Sequence, residues 1–260
     1  LFEKYPNQIA AVITEPERLT CSSCNCKLKT ESYLKKAIDL TKSNGAVFIL
    51  DEMVTGFKVG FPGAISKYDI SPDLATWGKG IANGFSFCAL TGKKEIMKLG
   101  GIKNNKNEKV FLTSTTHGGE THAIRAFIKT LEIFKRNNVL LHNHKIGEKI
   151  INLSKDAILL EDLDAYIKII PCKWVVGFIF YDNKGNISNE FRTLFMQLMI
   201  QNKILFQGIF IPCFSHNENE IKLFINGFKK ALKIYKKALK ENIEKYLIGE
   251  PTKPVFRKFN

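Results

Sequence analysis

Asp51 and Lys79 are the residues of this 260-residue chain whose types and settings suit chemistry. Asp51 closes the apolar run Gly45-Ala46-Val47-Phe48-Ile49-Leu50 and opens Asp51-Glu52-Met53-Val54-Thr55-Gly56-Phe57-Lys58. Lys79 lies in Ser71-Pro72-Asp73-Leu74-Ala75-Thr76-Trp77-Gly78-Lys79-Gly80-Ile81-Ala82-Asn83-Gly84. A carboxylate at the end of a buried strand can hold a ring nitrogen protonated, and an amine at the end of a second apolar segment can condense with an aldehyde. Most strand-end aspartates only cap a turn. The C-terminal end of a parallel strand, however, lines the ligand crevice of open α/β sheets. Lys79 sits among Gly78, Gly80 and Gly84, where little side-chain bulk obstructs a ligand. The glycine spacing fits neither a P-loop nor a dinucleotide fingerprint.

The elements that must position these residues follow from pattern. Ala10 to Thr14 reads as a short buried strand. From Thr30 a capping sequence opens a helix with an apolar face of Tyr33, Leu34, Ala37, Ile38 and Leu40, stopped by Asn44-Gly45. Ala46 to Leu50 is a continuous apolar strand of the kind buried on both faces of a parallel sheet. Strand, helix, strand is then a crossover unit. Leu74 to Trp77 and Phe87 to Thr91 add short strands, Glu95 to Leu99 a helical turn, and Gly100 to Glu108 a polar loop. Thr121 to Phe134 and Leu140 to Leu153 read as helices. After Asp156 the pattern changes: strands at Ala165 to Pro171 and Trp174 to Tyr181, a helix at Asn189 to Asn202, short strands at Ile204 to Phe206 and Phe210 to Phe214, and a long helix from Asn217 to Lys240. The expected division is residues 1–156 and 157–260, an α/β part followed by a small α+β domain.

Bulk numbers narrow the function classes. A 45% hydrophobic and 25% charged composition is ordinary for a soluble globular protein. No run of about 18 uncharged apolar residues suggests a spanning helix. The start, Leu1-Phe2-Glu3-Lys4-Tyr5-Pro6, has no signal-peptide pattern and no initiator Met, and reads as a chain that begins mid-protein. The net charge of +14 raises nucleic acid as a partner. Against it, the lysines concentrate between Lys222 and Lys245, spaced among Phe224, Ile225, Phe228, Leu232, Ile234, Tyr235 and Leu239 as the wet face of a packed helix. Neither nucleic acid nor membrane is expected. Cys21, Cys24 and Cys26 lack the paired spacing and fourth ligand of a metal site, so reduced thiols are expected and no metal.

The strings Ala10-Ala11-Val12-Ile13-Thr14-Glu15-Pro16, Asp51 to Phe57, Pro72 to Gly84 and Thr115-Thr116-His117-Gly118-Gly119-Glu120-Thr121 closely resemble class III aminotransferases, in the glutamate-1-semialdehyde aminomutase-like branch. Ser215 to Ile221 and the tail Gly249 to Asn260 fit the same branch. The resemblance implies the C-terminal part of the major domain of a fold-type I transferase dependent on pyridoxal 5'-phosphate (PLP), with a mostly parallel sheet and flanking helices. It implies a cytoplasmic homodimer with shared active sites, acting on a small-molecule amino donor and a carbonyl acceptor. Lys79 would carry the internal aldimine in a buried setting and then move the substrate's proton. Asp51 would pair with the pyridine nitrogen, Met53 would lie against one ring face, and Thr116 would reach the neighbouring subunit's PLP phosphate. Without the resemblance, core filling accounts for Met53 and helix capping for Thr116 equally well. Trp77, Trp174 and His216 read as packing residues.

The family's N-terminal phosphate loop and its ring-stacking aromatic have no counterpart before Ala10, which implies a fragment that is inactive by itself. The aminomutases of the branch carry a gating glutamate shortly before the stretch matching Ser215-His216, whereas Lys203 to Ser215 contains no acid. Amino transfer is therefore the expected reaction, glutamate-1-semialdehyde 2,1-aminomutase the alternative. His117 and Glu120 resemble a branch acting on nucleotide-linked or surface sugars.

Overall fold

The computed structural model describes residues 1–17, 30–101, 116 and 118–253. The three-cysteine stretch, most of the polar loop, Thr115, His117 and the end of the tail lie outside the described residues. Two compact units divide the chain, Leu1–Leu140 and Leu141–Asn260. The sequence pattern changes after Asp156. Spatial grouping divides earlier because Ile146, Ile150, Ala157 and Ile158 all lie in the core of the second unit.

In the first unit, β1 (Ala11–Thr14), β2 (Val47–Asp51), β3 (Leu74–Trp77) and β4 (Ala89–Gly92) form one sheet in that order. The first three run parallel and β4 turns back antiparallel to β3. Helix α1 (Thr30–Ser43) bridges β1 and β2. Its buried face is Leu34, Ile38 and Thr41, spaced four and three apart, and Tyr33 and Leu40 are exposed, contrary to the broader face expected. The Thr41 hydroxyl satisfies itself at 2.6 Å on the Ala37 carbonyl.

β2 alternates instead of being sealed on both faces: Phe48 and Leu50 are fully buried, Val47 and Ile49 half-buried. β1 lies at the sheet edge with Ile13 60% exposed, so the buried strand expected there is an exposed one. After β2 the chain forms a turn region and the short helix α2 (Ala64–Lys67). α3 (Lys94–Met97) follows β4, and α4 (Thr121–Asn137) packs on the turn that carries Lys79.

Asp73 anchors the strand that leads to Lys79. Its carboxylate accepts the Phe48 N–H at 2.8 Å and the Lys93 ammonium at 2.7 Å. Burial pushes this carboxyl up, but those bonds and the Lys93 charge outweigh it and hold it below the usual range.

The second unit holds all but the first two residues of α5 (Val139–Leu160), then β5 (Ile167–Ile170), β6 (Val176–Phe180), α6 (Asn189–Gln201), β7 (Ile209–Phe210) and α7 (Glu218–Lys240), with an antiparallel sheet ordered β5-β6-β7. No strand forms at 204–206, β7 is shorter than expected, and α5 continues seven residues beyond Leu153. α7 opens with a capping box between Asn217 and Glu220. Its Phe224, Ile225, Phe228, Leu232 and Tyr235 are buried in the core with Phe178, Phe180, Phe195 and Phe206, while Lys222, Lys229, Lys230 and Lys233 are exposed, as the sequence spacing requires. The Tyr235 hydroxyl reaches the Tyr181 carbonyl at 2.6 Å, and burial pushes that phenol strongly up.

Candidate active site at the ends of strands β2 and β3

Parallel pairing sets the geometry. The register places Ile49 against Leu74, Leu50 against Ala75 and Asp51 against Thr76. The carboxylate and the Gly78-Lys79 turn therefore leave adjacent strand ends on the same edge of the sheet, where open α/β sheets bind ligands. Asp51 Oδ1 accepts the Met53 N–H at 2.9 Å and the Thr76 hydroxyl at 3.1 Å. Both described bonds fall on one oxygen and fix the plane of the carboxyl. The Glu52 N–H donates to the Thr76 carbonyl at 2.9 Å, which extends the ladder past the strand end.

Lys79 opens a short 3-10 turn through Ala82, with φ of +51°. A non-glycine residue in this left-handed region costs about 1–2 kcal/mol, and glycine stands on both sides of it. The strained position therefore holds the lysine. Ile81 and Ala82 are buried and anchor the turn, whereas Lys79 itself is exposed, contrary to the buried setting expected. Met53 lies directly on Gly78: a Cβ there would come to 2.4 Å from Met53 Cε and 2.8 Å from Sδ. Gly78 is extended at φ −174°, so close approach and not backbone freedom requires the glycine.

The turn region after Asp51 is held from within. Glu52 is fully buried; its carboxylate accepts the Thr55 hydroxyl at 2.5 Å and the Ile65 N–H at 3.1 Å, and Gly63 passes so close that a Cβ would reach 2.5 Å from Oε1. Burial pushes the Glu52 carboxyl above the usual range, against the pull of these hydrogen bonds. Lys58, half-buried, donates to the Val54 carbonyl at 2.8 Å. Burial first, and the Lys79 charge second, hold Lys58 below the usual lysine range.

The structure thus brings Asp51, Met53 and Lys79 to neighbouring strand ends. Thr116 instead lines a cavity of about 420 Å³ with Ser86, Phe87, Cys88, Gly119 and Glu120, ahead of α4. Sequence reading missed Thr76, Glu52 and Lys58. The only signal for Thr76 was its matching place on the next apolar strand, and for Glu52 a threonine three residues on.

His216 packs its ring on Phe210 at 4.9 Å, and its carbonyl meets His142 Nε2 at 2.9 Å. Trp77 and Trp174 are buried. A cavity of about 440 Å³ in the second unit, lined by Phe206, Phe210, His216, Glu220 and Leu223 among others, contains none of the four expected site residues. Among the described residues no His, Cys, Asp and Glu cluster could hold a metal ion, and no helix is long and apolar enough to cross a membrane.

The arrangement suits a pyridine ring bearing an aldehyde: an oriented carboxylate for the ring nitrogen, an amine for the aldehyde, and a thioether beside glycine for a flat face. The family described as aminotransferase class-III matches residues 1–183. A glutamate-1-semialdehyde 2,1-aminomutase of Clostridium botulinum (strain Eklund 17B / Type B) is 30% identical over 247 residues, covering 88% of this chain and 55% of that protein. A 3-aminobutyryl-CoA aminotransferase of Cloacimonas acidaminovorans (strain Evry) is 26% identical, covering 80% of this chain and 48% of that protein. The chain thus spans about half the length of these curated relatives. Among solved structures, the PLP internal aldimine form of the Sphingopyxis sp. MTA144 FumI protein superposes with a TM-score of 0.76 at 18% identity, covering 92% of this chain and 55% of that one. This last likeness concerns the fold.

Proposed function

The chain belongs to the class-III aminotransferase family, and on that basis we propose that it carries the lysine-and-aspartate half of a PLP site for transferring an amino group between a small-molecule donor and a keto or aldehyde acceptor. One observation carries the reading: Asp51 ends β2 oriented by Thr76, while Lys79 leaves the end of β3 on strained backbone between two glycines. When bound, PLP supplies the electron sink for the chemistry at the substrate's α-carbon. Asp51 would hold the ring nitrogen's proton, Met53 would support one face of the ring, and Lys79 would bind the aldehyde and afterwards carry the α-proton. In the proposal residues 1–156 contribute the cofactor end and 157–260 the small domain. The proposal extends to a cytoplasmic homodimer in which Thr116 meets the partner's PLP phosphate, and to an acceptor from surface-polysaccharide or sugar metabolism, motivated by His117 and Glu120.

The likeness to glutamate-1-semialdehyde 2,1-aminomutases supports a second reading, a 1,2-shift of the amino group; the acid-free stretch Lys203 to Ser215 supports transfer. The third is a chain that is inactive by itself. The test is visible absorbance of the purified chain with PLP, borohydride reduction and peptide mapping. A reduced adduct on Lys79, absent in Lys79→Ala, is expected; reduction onto other lysines only would refute the assignment. With a bound cofactor, conversion of glutamate-1-semialdehyde without any external keto acid would favour the second reading.

A further inference from the structure

The strained turn at Lys79 needs support on both sides, because a left-handed lysine persists only where its surroundings over-determine it. One side is described above: Met53 presses on Gly78, and Ile81 and Ala82 are buried. On the other side stands Lys58. Its Nζ lies 3.9 Å from where a Cβ on Gly80 would be, which places the amine beside the residue that follows Lys79. The same Nζ is tied at 2.8 Å to the Val54 carbonyl, in the turn that begins with Asp51. The Lys58 backbone is fixed in turn, its N–H donating to the Thr55 carbonyl at 3.0 Å next to the buried Glu52 anchor.

We infer that Lys58 is a positioning residue for Lys79, clamping the Asp51 turn against Gly80 so that the lysine amine and the carboxylate keep a fixed relation. The inference rests on the reading of Lys79 as the cofactor amine. Burial and the neighbouring Lys79 charge both disfavour a cation at position 58, and the Nζ still donates to the Val54 carbonyl in that setting. Methionine would fill the volume of the stem without them; arginine would keep both charge and donors.

The experiment compares the unaltered chain, Lys58→Met and Lys58→Arg in two measurements: amide hydrogen exchange of the segment 78–83, and the rate of borohydride-trapped PLP addition to Lys79. The methionine variant is expected to exchange the segment about tenfold faster and to form the adduct about tenfold more slowly, with the melting temperature of the chain retained. Arginine is expected to restore most of both. Unchanged exchange in Lys58→Met, or equal losses in both variants, would overturn the inference. If exchange behaves as expected but the unaltered chain forms no adduct on Lys79, the clamp stands and the proposed chemistry fails. If the adduct forms normally and exchange is unchanged, the chemistry stands and the clamp fails.

Discussion

Thr76 donates its hydroxyl hydrogen to Asp51 Oδ1 at 3.1 Å, across the pair of residues that the β2–β3 register sets side by side. A carboxylate so held has a defined plane, which its proposed pairing with a ring nitrogen would use. Thr76→Val keeps the branched shape of the strand residue and removes the donor. PLP affinity is expected to fall about tenfold or more, in line with a hydrogen bond to a charged group contributing about 1.5 kcal/mol or more. Titration of cofactor absorbance reads this directly; an unchanged dissociation constant would show that Thr76 does not orient Asp51.

Gly78 and Met53 are expected to be coupled. Gly78→Ala drives a methyl group into Met53 Cε and should destabilise the first unit by about 1–3 kcal/mol. Met53→Ala added to it should recover part of that loss, since the obstructing atoms are the end of a flexible side chain. Denaturant melts of the two single variants and the double variant give the coupling energy. Strict additivity would contradict the packing described.

Glu52 carries a pH signature. Its carboxyl in the folded chain lies above the ordinary glutamate value of 4.5, so the folded state binds more protons than the unfolded one in the interval between the two. Its contribution is fully present below the unfolded value and is lost as pH rises through the folded one. Glu52→Gln retains acceptor and shape without the charge. The difference in unfolding free energy, variant minus unaltered chain, should therefore grow as pH rises from about 4 toward neutrality. A flat difference would mean that burial does not control this group.

Gly147 lies within α5, where a Cβ would come to 1.9 Å from the Lys173 carbonyl oxygen. The obstacle is backbone, which cannot rotate aside as Met53 can. Gly147→Ala should cost about 3 kcal/mol or more despite the better helix propensity of alanine. Thermal melts followed through the second unit's buried Trp174 would detect it. A stabilised variant would contradict this close approach.

Local choices are written in the chain itself. Apolar runs ending in Asp51 and Trp77, the Asn44-Gly45 helix stop and the spacing of α7 are encoded within a few residues each, and so are the glycines around Lys79. These made the α/β class and most of the element order legible, and they marked Asp51 and Lys79 as candidates. Pairing, by contrast, came only with the folded chain. Thr76 becomes Asp51's partner through the β2–β3 register, Glu52 meets Ile65 thirteen positions on, and Lys58 comes to lie beside Gly80 with α2 and β3 between them in the chain. Exposure was settled there too: β1 is an edge strand with Ile13 in solvent, and Lys79 is exposed where a buried setting was expected. The physical reason is common to all of these. Periodicity reports which side of an element is apolar, whereas register and cover depend on which other element comes to lie against it.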